Sequence, residues 1–222
     1  MDTQTKVAII VAIIGGLFAI FAASIPYLAS PILHPTIDHT KVSFSDYFTD
    51  DDSGWTTSEN IYYKDNMLNF RNTEIDFDIS SKQTKFTPPN DFIIEYDMTI
   101  KNSPALNDGS GVCLRRVDNN DYYRFKISNT GQYSFRKIVN GEYTDLIPWT
   151  KSRSIKPGNA LNTIKISCIG SNFVFYINGV KVNHCEDTTF ASGKIALSAG
   201  HADEAENTVV SFDNLKVWSI ID

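Results

Sequence analysis

The chain reads as an all-β, two-sheet antiparallel sandwich preceded by one transmembrane α-helix, and three observations predict this. Fourteen short runs between residues 42 and 218 alternate apolar and polar side chains with a period of two, and no amphipathic helix of useful length interrupts them. Asn129-Thr130-Gly131, Asn140-Gly141, Gly170-Ser171-Asn172 and Asn178-Gly179 stand between such runs, where hairpins need the positive φ that Gly and Asn tolerate. Ahead of them, Val7 to Ile25 runs nineteen residues without a charge. About 20 apolar residues at ~1.5 Å rise match a ~30 Å hydrocarbon slab.

From the N-terminus, residues 1–6 are expected in the cytoplasm, 7–29 as the transmembrane helix, 30–41 as a stalk and 42–222 as the folded domain. A cleaved secretory signal would share the basic start. This apolar core, however, exceeds the roughly 7 to 15 residues of a signal, and the small-residue sites at 21–23 and 28–30 fall inside the core or just before Pro31. The span therefore reads as an uncleaved anchor. Lys6 precedes it, whereas the residues that follow hold Lys41 among Asp38, Asp46, Asp50, Asp51 and Asp52. Cations stay inside, so the expected topology is single-pass at the cell membrane, N-terminus cytoplasmic and C-terminal domain extracellular. Pro26, Pro31 and Pro35 end the helix and stiffen the stalk.

The runs read as strands are 42–48, 60–63, 67–71, 74–79, 91–101, 110–117, 121–128, 131–139, 142–147, 161–169, 172–178, 180–184, 193–199 and 207–218. Alternation assigns their faces. Tyr123, Phe125 and Ile127 point one way and Tyr122, Arg124 and Lys126 the other; Ile94, Tyr96, Met98 and Ile100 oppose Glu95, Asp97, Thr99 and Lys101. Strands with one core face and one wet face suit two stacked sheets about 10 Å apart.

Composition narrows the function. The net charge is −6, and Asp2 and Lys6 cancel within the first thirty residues, so the outer domain carries all of it. Such a domain lacks the Lys/Arg surplus that neutralises phosphates, which argues against nucleic acid as a partner. Cys113, Cys168 and Cys185 are too few for a disulfide scaffold. Cys168 shares a face with Ile164 and Ile166, as a buried thiol would. No Asn-x-Ser/Thr acceptor occurs, in keeping with a prokaryotic cell surface.

Motif order carries a resemblance over about residues 42–218. VSFSDYFTDDDSGW, GVCLRRVDNNDYYRFKISNTGQYSFRKIVNGEYTDLIPW, NTIKISCIGSNFVFYINGVKV, and GKIALSAG with VVSFDNLKVW resemble, in this sequence of blocks, the concanavalin A-like (laminin G-like, jelly-roll) superfamily. The resemblance implies a curved sheet whose concave face or rim loops often bind carbohydrate. Some relatives hydrolyse glycans and others only bind them.

Hydrolytic relatives of laminarinase type carry Glu-x-Asp-x-Glu on one strand, and the chemistry needs two carboxyls about 5 to 5.5 Å apart. Glu95 and Asp97 match the first two positions, but Thr99 stands at the third and cannot protonate a leaving group. His34, His39, His184 and His201 have no paired nucleophile or zinc-spaced partner, and no Gly-x-Ser-x-Gly elbow occurs. No catalytic residue and no cofactor are therefore expected. The one metal expectation is a structural calcium on Asp213, by resemblance. Sugar binding calls for an aromatic ring beside planar polar groups, and Arg115, Tyr122, Arg124, Lys126 and Trp149 are the candidate set. The expected function is a membrane-anchored extracellular binding module for glycan, without catalysis. The alternatives are a structural or assembly subunit of a surface layer, filament or membrane complex, whose partner is a surface protein, and a degenerate glycoside hydrolase.

Overall fold

The structure is a computed structural model that describes residues 40–73, 78–101, 109–200 and 207–220. The expected span 7–29 and most of the stalk lie outside the described residues, and no helix among the described ones is long and apolar enough to cross a membrane.

The strands are β1 (Thr40–Asp46), β2 (Ile61–Lys64), β3 (Met67–Asn72), β4 (Ile79–Lys82), β5 (Phe92–Lys101), β6 (Ser110–Arg116), β7 (Tyr122–Ile127), β8 (Gln132–Val139), β9 (Glu142–Lys151), β10 (Leu161–Ile169), β11 (Asn172–Ile177), β12 (Val180–Glu186), β13 (Lys194–Ala199) and β14 (Thr208–Ile220). They form an all-β, two-sheet antiparallel sandwich. An eight-stranded sheet runs β12-β11-β10-β5-β14-β3-β2, with β1 also on β14, and a six-stranded sheet runs β4-β13-β6-β7-β8-β9. Three expected strands differ: the run expected at 142–147 continues to Lys151 as β9, and two others shift. β1 ends before Phe48, whose φ of 50° breaks the extended run. The strand expected at 74–79 is found at Ile79–Lys82, with 74–77 outside the described residues.

β14 is long because it serves two partners on one edge. Its first half pairs with β3 and its second with β1, while β5 lines the other edge throughout. The change of partner falls at an irregularity between Asp213 and Lys216, where Asn214 takes φ 53°. Asp46 locks the chain entry by accepting hydrogen bonds from the Phe48 amide (2.7 Å) and Trp55 Nε1 (2.8 Å), so Trp55 is a packing residue.

The core lies between the sheets, where Phe92, Ile94, Tyr96, Met98 and Ile100 of β5 are all buried by alternation. Phe125 of one sheet stacks on Phe175 of the other at 4.9 Å, and Phe135 meets Phe173 and Phe175 at 5.1 and 4.7 Å. Each such ring contributes roughly 1.5–3 kcal/mol by leaving water. Cys168 is wholly buried in this core, and all three cysteines are free thiols.

Candidate functional site

Register across the six-stranded sheet sets out its outer face. One row of cross-strand neighbours runs Ser80, Ser198, Gly111, Lys126, Ser134, and the next runs Lys82, Ala196, Cys113, Arg124, Arg136, Asp145. The middle of both rows is small: Ser198, Gly111, Ala196 and Cys113 make a trough floor. Gly111 has to be glycine, since a Cβ there would lie 2.2 Å from the Phe125 carbonyl oxygen.

Two long arms lie across this floor. Arg124 and Lys126 both start on β7 and both end on the carboxylate of Asp78, just before β4. β4 and β7 are three strand spacings apart, about 14 Å, so the arms must lie flat to meet it. They thereby cover the floor, and Cys113, Ala196 and Ser198 are almost inaccessible. Lys126 Nζ donates to Asp78 Oδ1 at 2.5 Å, and Arg124 Nη1 donates to Oδ2.

Burial opposes ionisation of Asp78, but the Lys126 and Arg124 charges outweigh it and hold the carboxyl below the usual range. Burial likewise works against the Arg124 cation, and Asp78 more than restores it. Burial pushes the Cys113 thiol up, so it stays neutral beneath the arms. Two buried polar atoms on this face have no hydrogen-bond partner among the described residues, Arg124 Nε and Ser198 Oγ.

Aromatic rings flank the trough. Trp149 packs where a side chain at Gly109 would be, beside Lys126 Cβ. Tyr122 carries the Arg116 guanidinium over its ring at 5.5 Å, and Arg116 donates to Ser80 Oγ at 3.1 Å. One face of Tyr122 is therefore already covered, leaving Trp149 as the better stacking surface.

The structure brings Tyr122, Arg124, Lys126 and Trp149 onto this one face, but Arg115 does not join them. The β6–β13 register shifts between Ala196 and Lys194, and Arg115 takes φ 49°. That bulge reverses the alternation, so Arg115 turns to the sandwich edge and Arg116 takes the trough side. Arg115 is 1% exposed, lies over Phe173 at 5.1 Å and donates to the carbonyls of Phe190 (3.0 Å) and Asn90 (2.9 Å). It is a structural strut. Asp78 was missed as a site residue because nothing local distinguishes it. Its alternation with Ile79 was legible, but its partners sit more than forty residues along the chain.

Glu95 and Asp97 lie on the outer face of the other sheet. Glu95 pairs with Lys165 at 3.5 Å, and Asp97 accepts from Thr163 Oγ1 (2.5 Å) and Asn214 Nδ2 (2.9 Å). Asp213 faces Asp97 across the ladder; burial and then that neighbouring charge raise its pKa. Among the described residues no group of three or more His, Cys, Asp or Glu side chains is arranged to hold a metal ion.

Residues 44–218 match the sequence profile of the 3-keto-alpha-glucoside-1,2-lyase-like domain. No curated protein matches the chain by sequence. Solved structures share the fold. The carbohydrate binding module CBM66 from Bacillus subtilis is 19% identical, with TM-score 0.56 over 81% of this chain and 98% of that one. The Bacillus licheniformis beta-glucanase is 13% identical, with TM-score 0.59 over 81% and 98%. The catalytic domain of an endo-1,3-beta-glucanase (laminarinase) from Thermotoga petrophila is 11% identical, with TM-score 0.58 over 82% and 99%. The profile match corrects one expectation from the sequence: a domain class described by a lyase activity overturns the reading of a module without catalysis.

Proposed function

The chain belongs to the 3-keto-alpha-glucoside-1,2-lyase-like domain family, and from that membership we propose that it is a carbohydrate-active domain that takes a keto-glycoside in the trough of its six-stranded sheet and eliminates across C1 and C2. The observation that carries this is the Asp78–Arg124–Lys126 cluster laid over a floor of small side chains beside Trp149.

The chemistry follows from the sugar. A carbonyl at C3 acidifies the hydrogen on C2. Its removal puts charge on O3, and the electron pair then forms C1=C2 as the C1–O bond breaks; the proton taken from C2 is returned to the departing oxygen, so that the aglycone leaves as an alcohol. Preorganised positive charge beside O3 lowers that barrier. Arg124 and Lys126 supply it, and their shared carboxylate spares them rearrangement when the charge develops. Asp78 is the ionised carboxylate on hand for the C2 proton, and the Trp149 ring suits the apolar face of a pyranose.

A membrane tether belongs to the same proposal. The uncharged run 7–25 behind Lys6 supports a single-pass anchor that presents the domain outside the cell; protease shaving of intact cells tests it.

The decisive experiment is turnover of C3-oxidised trehalose or sucrose, followed by NMR for the unsaturated product and the released sugar. Product formation that falls at least about a hundredfold in Arg124→Ala, with the fold intact by circular dichroism, fits the loss of one oxyanion donor. No product from any 3-keto glycoside would sink the proposal.

A further inference from the structure

The trough changes character along its length. Next to the row of Arg124 and Arg136, register makes Tyr122, Ile138 and Tyr143 cross-strand neighbours on β7, β8 and β9. Ile138 is only 4% exposed, yet it lies outside the core cluster between the sheets. Alternation puts it on the outer face with Arg136, so the rings on either side of it supply its cover. Tyr143 is 62% exposed, and the Arg136 guanidinium lies over its ring at 4.7 Å while Arg136 Nε donates to Asp145. An exposed ring is thus backed by a cation that is itself tethered.

Polar groups around this row are spent on one another. Arg116, over Tyr122, donates from Nε to the Asp118 carbonyl (2.9 Å), from Nη1 to Ser80 Oγ and from Nη2 to Asn119 Oδ1 (2.7 Å). The row therefore offers mainly ring faces and an aliphatic side chain. A second sugar asks for planar polar groups beside the ring; a flat aromatic ring asks only for the faces.

We propose that the aglycone taken by this site is aromatic, an aryl group seated on the Tyr122–Ile138–Tyr143 strip with Tyr143 as its main stacking surface. This rests on the reading that the trough is the sugar site, and deepens it by naming the leaving group. Trp149 stands at the Lys126 end, and Lys126 and Tyr122 are separated along β7 by about 13 Å. A sugar ring on Trp149 with O3 at the arms has the strip as the open direction for its C1 substituent. In the elimination the C1–O bond breaks, C1=C2 forms and the C2 proton ends on the aryl oxygen, releasing a phenol. A phenol, with a pKa near that of tyrosine at about 10, departs more readily than a sugar alcohol.

The test is competitive inhibition of the full chain in detergent micelles, with a C3-oxidised α-glucoside as substrate and unoxidised α-glucosides as inhibitors. The inhibitors lack the carbonyl that acidifies C2, so they occupy the site without reacting and their affinities are free of leaving-group reactivity. Phenyl α-glucoside is expected to inhibit about tenfold more tightly than methyl α-glucoside. Tyr143→Ala is expected to erase that preference and Tyr143→Phe to keep it, and both variants should melt within a few degrees of wild type because the side chain is largely exposed. Equal inhibition by the phenyl and methyl compounds, or a preference that survives Tyr143→Ala, overturns the aryl subsite, while turnover of the substrate keeps the sugar site standing. Cyclohexyl α-glucoside as tight as phenyl overturns the aromatic class, and maltose as tight as phenyl replaces it with a second sugar. No turnover of any 3-keto glycoside overturns this proposal and the sugar-site reading together.

Discussion

The Trp149 indole fills the space that a side chain at residue 109 would need: a Cβ on Gly109 would lie 2.4 Å from Trp149 Cη2 and 3.1 Å from Lys126 Cβ. This one glycine seats both a flanking ring of the trough and the root of one of its arms. Gly109→Ala is expected to push the ring outward and cost about 1–3 kcal/mol, as overpacking does. Urea unfolding and near-UV circular dichroism read the two effects. Unchanged values for both would show that the ring is not seated there.

Asp78→Asn leaves Arg124 and Lys126 facing each other over an apolar floor. Removing one member of a buried ion cluster is costly. Because the Asp78 side chain keeps 24% of its surface, the expected loss is about 2 kcal/mol, below the fully buried range. In an Arg124→Met background the same change is expected to cost less, the signature of coupled residues. Equal costs in both backgrounds would mean that the pair does not interact.

Acid should weaken the fold through Asp187 and Asp78. Burial raises the pKa of Asp187, but hydrogen bonds from Lys137, Thr189 and Tyr123 outweigh it and hold it well below 3.8. With the folded value below the unfolded one, the unfolded chain binds more protons between them. Stability is then fully present above about pH 4 and drains away as pH falls through the folded value. Asp187→Asn is expected to lower stability at pH 7 and to flatten that acid slope. A slope as steep as wild type would assign it to other groups.

Arg115→Met removes two hydrogen bonds from a side chain that is 1% exposed, for an expected loss of about 2 kcal/mol. Sugar binding by the folded variant is expected to be unchanged, because Arg115 lies away from the trough. Gly193→Ala should damage the same corner, since a Cβ there would lie 2.4 Å from the Arg115 carbonyl carbon. A binding defect in Arg115→Met at full stability would return Arg115 to the site.

Much of the trough was legible locally. In YYRFKI the alternation alone put Tyr122, Arg124 and Lys126 on one wet face, and β7 keeps that phase from end to end. The same rule failed for Arg115, two residues after the floor's Cys113, because a bulge opposite β13 reversed the phase before Arg116. Glu95 and Asp97 were correctly placed on a wet face, but which sheet that face belonged to was open. It proved to be the sheet opposite the arms.

What the residues alone determined is the period of each run and the turns between them, since a strand's two faces depend only on neighbours along the chain. That sufficed for an antiparallel sandwich and for the charged face of β7. Which carboxylate meets Arg124 and Lys126 was decided only in three dimensions. Asp78 becomes their partner because β13 and β6 place small side chains between β4 and β7, and long cations lie down across a gap only when nothing stands in it.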